Sequence, residues 1–152
     1  NTIIVSCRTQ CVVKLDYNNN VKWILSNHKQ WGNNKKGQDL NDYLLMPLNA
    51  SGQAITDDEV LQGEKAHPDF EWPWYQHAPF ISSNGLLFLF DNGENRHFSP
   101  FEKYSRAVGY DINDENMTCQ QLWQYGKERG IIAYSCSVSD VERLCITVKI
   151  CF

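Results

Sequence analysis

At 152 residues the chain has the length of one domain with a core of its own. Its longest apolar runs fall far short of the ~20 residues of a membrane-spanning helix. The opening Asn1-Thr-Ile-Ile-Val-Ser-Cys-Arg8 lacks the basic start and small-residue cleavage site of a secretory leader. A formal net charge of −4, with no basic cluster beyond Lys35-Lys36, argues against a nucleic-acid surface, because phosphate binding needs a basic stripe to displace counterions.

The chain opens with three strand-like segments. Thr2–Ser6 is rich in β-branched residues, Cys11–Asp16 follows, and Val21–Leu25 is joined to it through Tyr17-Asn-Asn-Asn20. Asparagine tolerates the left-handed backbone that such turns require. From Ser26 to Pro68 the rhythm breaks into glycines and polar runs, with one short helix expected near Asp57–Gln62, Thr56 as its N-cap and Glu59 as the box partner. A connection of that length is expected to be functional or mobile.

The stretch Asp69–Ser83 is the densest in aromatics, with Trp72, Trp74, Tyr75 and Phe80 around His77 and between Pro73 and Pro79. Leaving such side chains in water costs roughly 1.5–3 kcal/mol each, so the segment reads as the stiff wall of a pocket. Strand character then returns at Gly85–Asp91, followed by a hairpin of Tyr104–Asp111 and Thr118–Tyr125 around Ile112–Met117. Both halves show the order strand, strand ending in Asp, turn, strand with Trp. This predicts an all-β chain made of a repeated sheet unit, as in a β-propeller. Two units cannot close a ring of about 4–8 blades, so a partial propeller of about two blades is expected, with a two-sheet sandwich as the alternative.

Among the histidines, His28 and His67 sit in loops, His97 lies in a polar segment that reads as surface, and His77 lies in the aromatic stretch. A neutral imidazole can serve as base or nucleophile. Gln76 is positioned to orient one ring nitrogen of His77. On residue chemistry alone, structural and functional roles for His77 stand level. Arg8, at the end of the first strand, is either an exposed charge or a bidentate grip for a tetrahedral oxyanion, and Arg96 carries the same ambiguity. Asp91-Asn-Gly93 reads as a turn and Asp111 as a turn cap.

The six cysteines, Cys7, Cys11, Cys119, Cys136, Cys145 and Cys151, form no Cys-x-x-Cys pair and have no histidine at finger spacing. No structural zinc is expected, and free, mostly buried thiols are favoured over disulfides. Phosphate-loop, His-x-x-x-His and nucleophile-elbow motifs are missing from the sequence.

Several short motifs fall in one order over residues 2 to 142: Ser6-Cys-Arg-Thr-Gln10, Val13-Lys-Leu-Asp16, His28 to Gly32, Gln76-His77, Leu89-Phe-Asp-Asn-Gly93, Tyr104-Ser-Arg-Ala-Val108, Trp123-Gln-Tyr-Gly126 and Ser139-Asp-Val141. The ordered set resembles the bacterial aryl-sulfate sulfotransferases, the PAPS-independent arylsulfotransferase family. The resemblance implies a six-bladed β-propeller enzyme of the periplasm that moves a sulfuryl group from a phenolic sulfate ester to a phenol acceptor, without cofactor or metal. It places the transiently sulfated nucleophile on His77 and the sulfuryl-oxygen ligand of the Ser-x-Arg-x-Gln motif on Arg8. Two further family histidines are expected upstream of Asn1.

By this resemblance residues 1–142 form a fragment of the propeller domain, and 143–152 form a divergent or truncated tail. The implied partners are the two small molecules, with no nucleic acid and no membrane span. The full-length protein is left open to homodimer formation. Family members from enteric bacteria carry a cysteine pair in the loop before the nucleophile, and Ser26–Gln76 here has none. A non-catalytic propeller that binds a partner is the competing reading. The 152 residues by themselves are expected to be inactive.

Overall fold

The computed structural model describes residues 1–142. The chain is mostly β-structure arranged in two sheets. The first is an antiparallel meander of β1 (Thr2–Cys7), β2 (Cys11–Asp16) and β3 (Val21–Leu25), in the order β1-β2-β3. Its turn is capped by Asp16, whose carboxylate accepts from the backbone N–H groups of Asn18 and Asn20 at 2.9 Å each.

The second sheet has five strands. They are β4 (Met46–Leu48), β5 (His77–Ile81), β6 (Leu87–Asp91), β7 (Arg106–Asn113) and β8 (Thr118–Tyr125), in the order β4-β8-β7-β6-β5. β6, β7 and β8 form a second antiparallel meander, so the sequence echo marks a real topological echo. Two strands were not anticipated, and both lie at the sheet edges. β4 pairs in parallel with β8 and carries Pro47, which an edge strand tolerates because one side of its backbone needs no partner. β5 grows out of the aromatic stretch and pairs antiparallel with β6.

The long connection of residues 26–68 is built into the core, since it contributes Leu45, Ile55 and Val60 to the buried cluster. Its helix, α1 (Asp58–Leu61), is capped by Asp57, one residue later than expected, with the Asp57 side chain accepting from Glu59 N at 3.0 Å. A carboxylate outcompetes a threonine hydroxyl there because it also meets the positive end of the helix.

One apolar core joins the two sheets: Val12, Trp23 and Leu25 from the first pack with Leu87, Leu89, Val108 and Tyr110 from the second. Trp23 adds a polar tie by donating Nε1–H to Asp114 Oδ1 at 2.8 Å, which fixes β3 against the β7–β8 turn. That turn is capped by Asn113, which accepts from Glu115 N and Asn116 N. Asp111, read as the cap, lies exposed within β7 opposite Gln120. Among the described residues no helix is long and apolar enough to cross a membrane. The predicted 143–152 tail, with Cys145 and Cys151, lies outside the described residues.

Candidate active site

His77 is the first residue of β5, paired with Phe90 of β6. The ladder is interrupted between His77 and Phe80, and an irregularity of this kind re-aims the side chains next to it. On either side of His77 the backbone is left-handed at non-glycine residues, with φ of 54° at Tyr75 and 50° at Ala78. Such positions are costly unless the surroundings impose them, and they concentrate at functional sites.

The aromatic residues around His77 divide between two tasks. Trp72 is buried in the core, edge-on to Phe70 at 4.7 Å, and donates Nε1–H to Val60 O at 2.8 Å. Phe80 stacks on Phe88 at 5.6 Å. Trp74 and Tyr75, with Pro73 and Phe98, line a cleft of about 420 Å³ that also takes in Thr9, Gln10 and Lys29. The aromatic stretch is thus part core and part wall, and His77 itself does not line that cleft.

His77 is half-buried, and its Nδ1 lies 2.5 Å from Asn92 Oδ1. Asn92 is fully buried and donates Nδ2–H to Ser135 O at 2.8 Å. Gln76, expected to orient the ring, instead donates Nε2–H to Cys11 O at 2.7 Å. Its neighbour's position is still set by this residue, because Ser6 Oγ donates to Gln76 O at 2.9 Å and the two bonds lock β5 onto the β1–β2 hairpin.

Arg8 lies in the turn of that hairpin and is exposed. Its Nη2–H donates to Cys136 O at 2.8 Å, and its guanidinium carbon lies 5.4 Å from the centre of the Tyr75 ring. His77 and Arg8 are therefore tied to successive carbonyls of one backbone segment, His77 through Asn92 to Ser135 and Arg8 directly to Cys136. Sixty-odd residues of sequence separate the two side chains, and the 135–136 segment lies beyond both.

Asn92 owes its place to Asp91. The inward row of β6 is Leu87, Leu89 and Asp91, all buried, which puts a carboxylate at the end of an apolar row. Asp91 Oδ1 accepts from Trp74 N at 2.8 Å and Gly93 N at 3.0 Å, and Oδ2 accepts from Arg106 Nε at 2.8 Å and Arg96 Nη2 at 3.1 Å. Gly93 has φ 73°, and a Cβ there would lie 2.0 Å from Tyr104 O, so only glycine closes this turn.

Around Asp91 lies a buried ionic cluster that the sequence did not disclose. Glu71, almost fully buried, accepts from Arg96 Nη1 at 2.7 Å, Tyr104 Oη at 2.5 Å and Lys127 Nζ at 2.9 Å, with His97 Nε2 at 3.2 Å. Burial opposes its ionisation, yet Arg106, His97 and Arg96 together hold its carboxyl well below the usual carboxylate range. Burial first, and then Glu71, push the Tyr104 phenol up. Burial works against the charge on Arg106, but Glu71, Tyr110 and Asp91 raise its value further. A glutamate set between Phe70 and Trp72 was the one available signal. Arg96 is consequently a buried structural cation rather than an oxyanion ligand, and His97 is part of the cluster rather than surface.

The remaining histidines are structural. His28 Nε2 lies 3.1 Å from Leu45 O, and burial lowers its value. His67 Nδ1 accepts from Asp69 N at 3.1 Å. Among the described residues no group of three His, Cys, Asp or Glu could hold a metal ion. Cys7, Cys11, Cys119 and Cys136 are free thiols, with Cys11 and Cys119 buried and Cys136 exposed.

A sequence model of the arylsulfotransferase (ASST) family matches residues 1–147, and the chain belongs to that family. It is 42% identical over 146 residues to the arylsulfate sulfotransferase AssT of Escherichia coli O6:H1, covering 93% of this chain and 23% of that protein. It is 40% identical over 146 residues to the arylsulfate sulfotransferase AssT of Lelliottia amnigena, with the same two coverages, 93% and 23%. The chain thus spans about a quarter of the length of the curated relatives it matches.

Proposed function

We propose that this arylsulfotransferase-family chain carries the nucleophile and an oxyanion ligand of an aryl-sulfate sulfotransferase. The whole enzyme is a six-bladed β-propeller of the periplasm and uses no nucleotide donor. His77 is the nucleophile and Arg8 the oxyanion ligand. The observation that carries the reading is the shared anchorage of the two side chains: Asn92 on Ser135 O holds His77, and Cys136 O holds Arg8. A strained, irregular start to β5 supports it from the backbone side.

A neutral His77 attacks the sulfur of a phenolic sulfate ester in line. The nitrogen–sulfur bond forms as the sulfur–oxygen bond to the aryl group breaks, and that electron pair leaves on the phenolate. Arg8 spends one N–H on Cys136 O and keeps the rest of its fork for the equatorial sulfuryl oxygens. Donors fixed in advance stabilise the developing charge without reorganisation. A phenol acceptor then takes the group from the sulfohistidine, giving ping-pong kinetics. Two family histidines outside this chain complete the sulfuryl site.

The competing reading is a non-catalytic binding module, favoured by one observation: the 420 Å³ cleft is lined by Tyr75 and Gln76 but by neither His77 nor Arg8. Mass spectrometry after brief exposure of the natural protein to 4-nitrophenyl sulfate separates the two. Sulfuryl on the His77 peptide is expected from the enzyme. An unmodified His77 with turnover intact in His77→Ala would sink the catalytic reading.

A further inference from the structure

The hydrogen bonds around His77 fix more than its position. Ser135 O is a carbonyl and can only accept, so the Asn92 atom 2.8 Å from it must be the amide nitrogen. The other amide atom, 2.5 Å from His77 Nδ1, is then the oxygen, and it too can only accept. His77 Nδ1 therefore carries the proton, and in the neutral ring the lone pair is left on Nε2.

The amide has no freedom to reverse this. Asn92 is fully buried, and the Ser105 hydroxyl both donates to Asn92 O at 2.8 Å and accepts from Ser135 N at 2.8 Å. That hydroxyl clips together the two backbone segments between which the amide is held. Reversing the amide would set its oxygen against Ser135 O, two acceptors facing each other with no proton between them.

We propose that Asn92 is the positioning residue that sets the tautomer of His77, with Ser105 and the Ser135 carbonyl as its lock. The inference rests on His77 being the nucleophile. Asn92 commits Nε2 to attack on sulfur, with its electron pair forming the nitrogen–sulfur bond. The Nδ1 proton stays in place, and its bond to Asn92 strengthens as the sulfated ring becomes cationic. When the phenol acceptor takes the sulfuryl group it gives up its hydroxyl proton, which balances the phenolate released in the first half-reaction. The nitrogen–sulfur electron pair returns to Nε2, and the ring regains the same tautomer with its Nδ1 proton in place. An amide suits this task better than a carboxylate, because it accepts the hydrogen bond without adding a negative charge next to an incoming anionic ester.

The test is carried out on the natural protein labelled with ¹⁵N-histidine, with the His77 signals assigned by their loss in His77→Ala. At neutral pH the wild type should show a protonated Nδ1 and an unprotonated Nε2. A protonated Nε2 in the neutral ring would overturn the proposal without any variant. In Asn92→Ala both tautomers should appear, and the phenolate burst from 4-nitrophenyl sulfate should slow about 10–100-fold, with kcat affected more than KM. Asn92→Asp keeps an acceptor at Nδ1, so it should retain the wild-type tautomer. Equal burst rates in wild type and a folded Asn92→Ala would overturn the role of Asn92 while leaving His77 as nucleophile. Unchanged transfer in His77→Ala would instead remove the reading on which it rests.

Discussion

Two polar clusters meet at the Asp91-Asn92 step and are built in opposite ways. On one side, Glu71, Asp91, Arg96 and Arg106 are buried, and their charges are spent on one another. On the other, among the described residues, His77 is half-buried with one ring nitrogen engaged, and Arg8 is exposed with a single side-chain hydrogen bond. The first cluster has charge in abundance and little capacity left for a ligand. The second has fewer bonds but keeps a lone pair and several N–H donors in reserve. Unspent bonding capacity, rather than density of charge, separates a candidate reaction site from a scaffold. Asn92 belongs to both, because Asp91 fixes the turn from which its amide reaches His77.

Substitutions on each side should therefore fail differently. His77→Ala should remove at least about 10⁴-fold of aryl-sulfate turnover while lowering stability by no more than about 2 kcal/mol, read from paired activity and denaturant curves. Near-normal turnover would make the two clusters alike, both structural. Asp91→Ala strips a shared acceptor from two buried guanidinium groups, and should cost about 3–5 kcal/mol in chemical denaturation. Arg8→Ala should slow transfer by about 10²–10³-fold with a stability change within about 0.5 kcal/mol. A large stability loss there would assign Arg8 to the scaffold.

Acid should act on the buried cluster first. The Glu71 carboxyl is depressed in the folded state, so its stabilising contribution is complete above its unfolded value of about 4.3. That contribution is lost as pH falls from there toward the lower folded value. Denaturation midpoints should hold steady from pH 7 to about 5 on this account and drop below about pH 4, with a smaller drop in Glu71→Gln. The mildest difference concerns the thiols. Burial pushes Cys119 up, and burial followed by the neighbouring Cys7 pushes Cys11 up, whereas Cys136 is exposed. Peptide mapping after brief alkylation at pH 8 should find Cys136 labelled well before Cys11 or Cys119, because the thiolate is the reactive form.

Local patterns in the chain were enough to place six of the strands and the ordering of the two meanders, because strand propensity and turn asparagines act over a few residues. They left His77 and Arg8 as open candidates, and only the family resemblance gave each an expected role. What lay hidden depends on contacts far apart in sequence. β4 is a strand only because β8 offers it an edge, and β5 only because β6 does. Arg96 and His97 look like surface residues in a polar segment, but Glu71, some 25 residues earlier, draws them inward.

The same limit applies to the site itself. Sequence determined that an imidazole sits among aromatics and that a guanidinium lies at the far end of the first strand's segment, which the structure resolves as the turn after Cys7. Gln76, the neighbour in sequence, appeared to be the residue that orients the ring, and it is bonded to the first sheet instead. Only the tertiary structure could bring Asn92 to Nδ1 and the 135–136 backbone to both Asn92 and Arg8. The physical reason is that an amide's orientation, and through it a ring's tautomer, is decided by which groups face it in space.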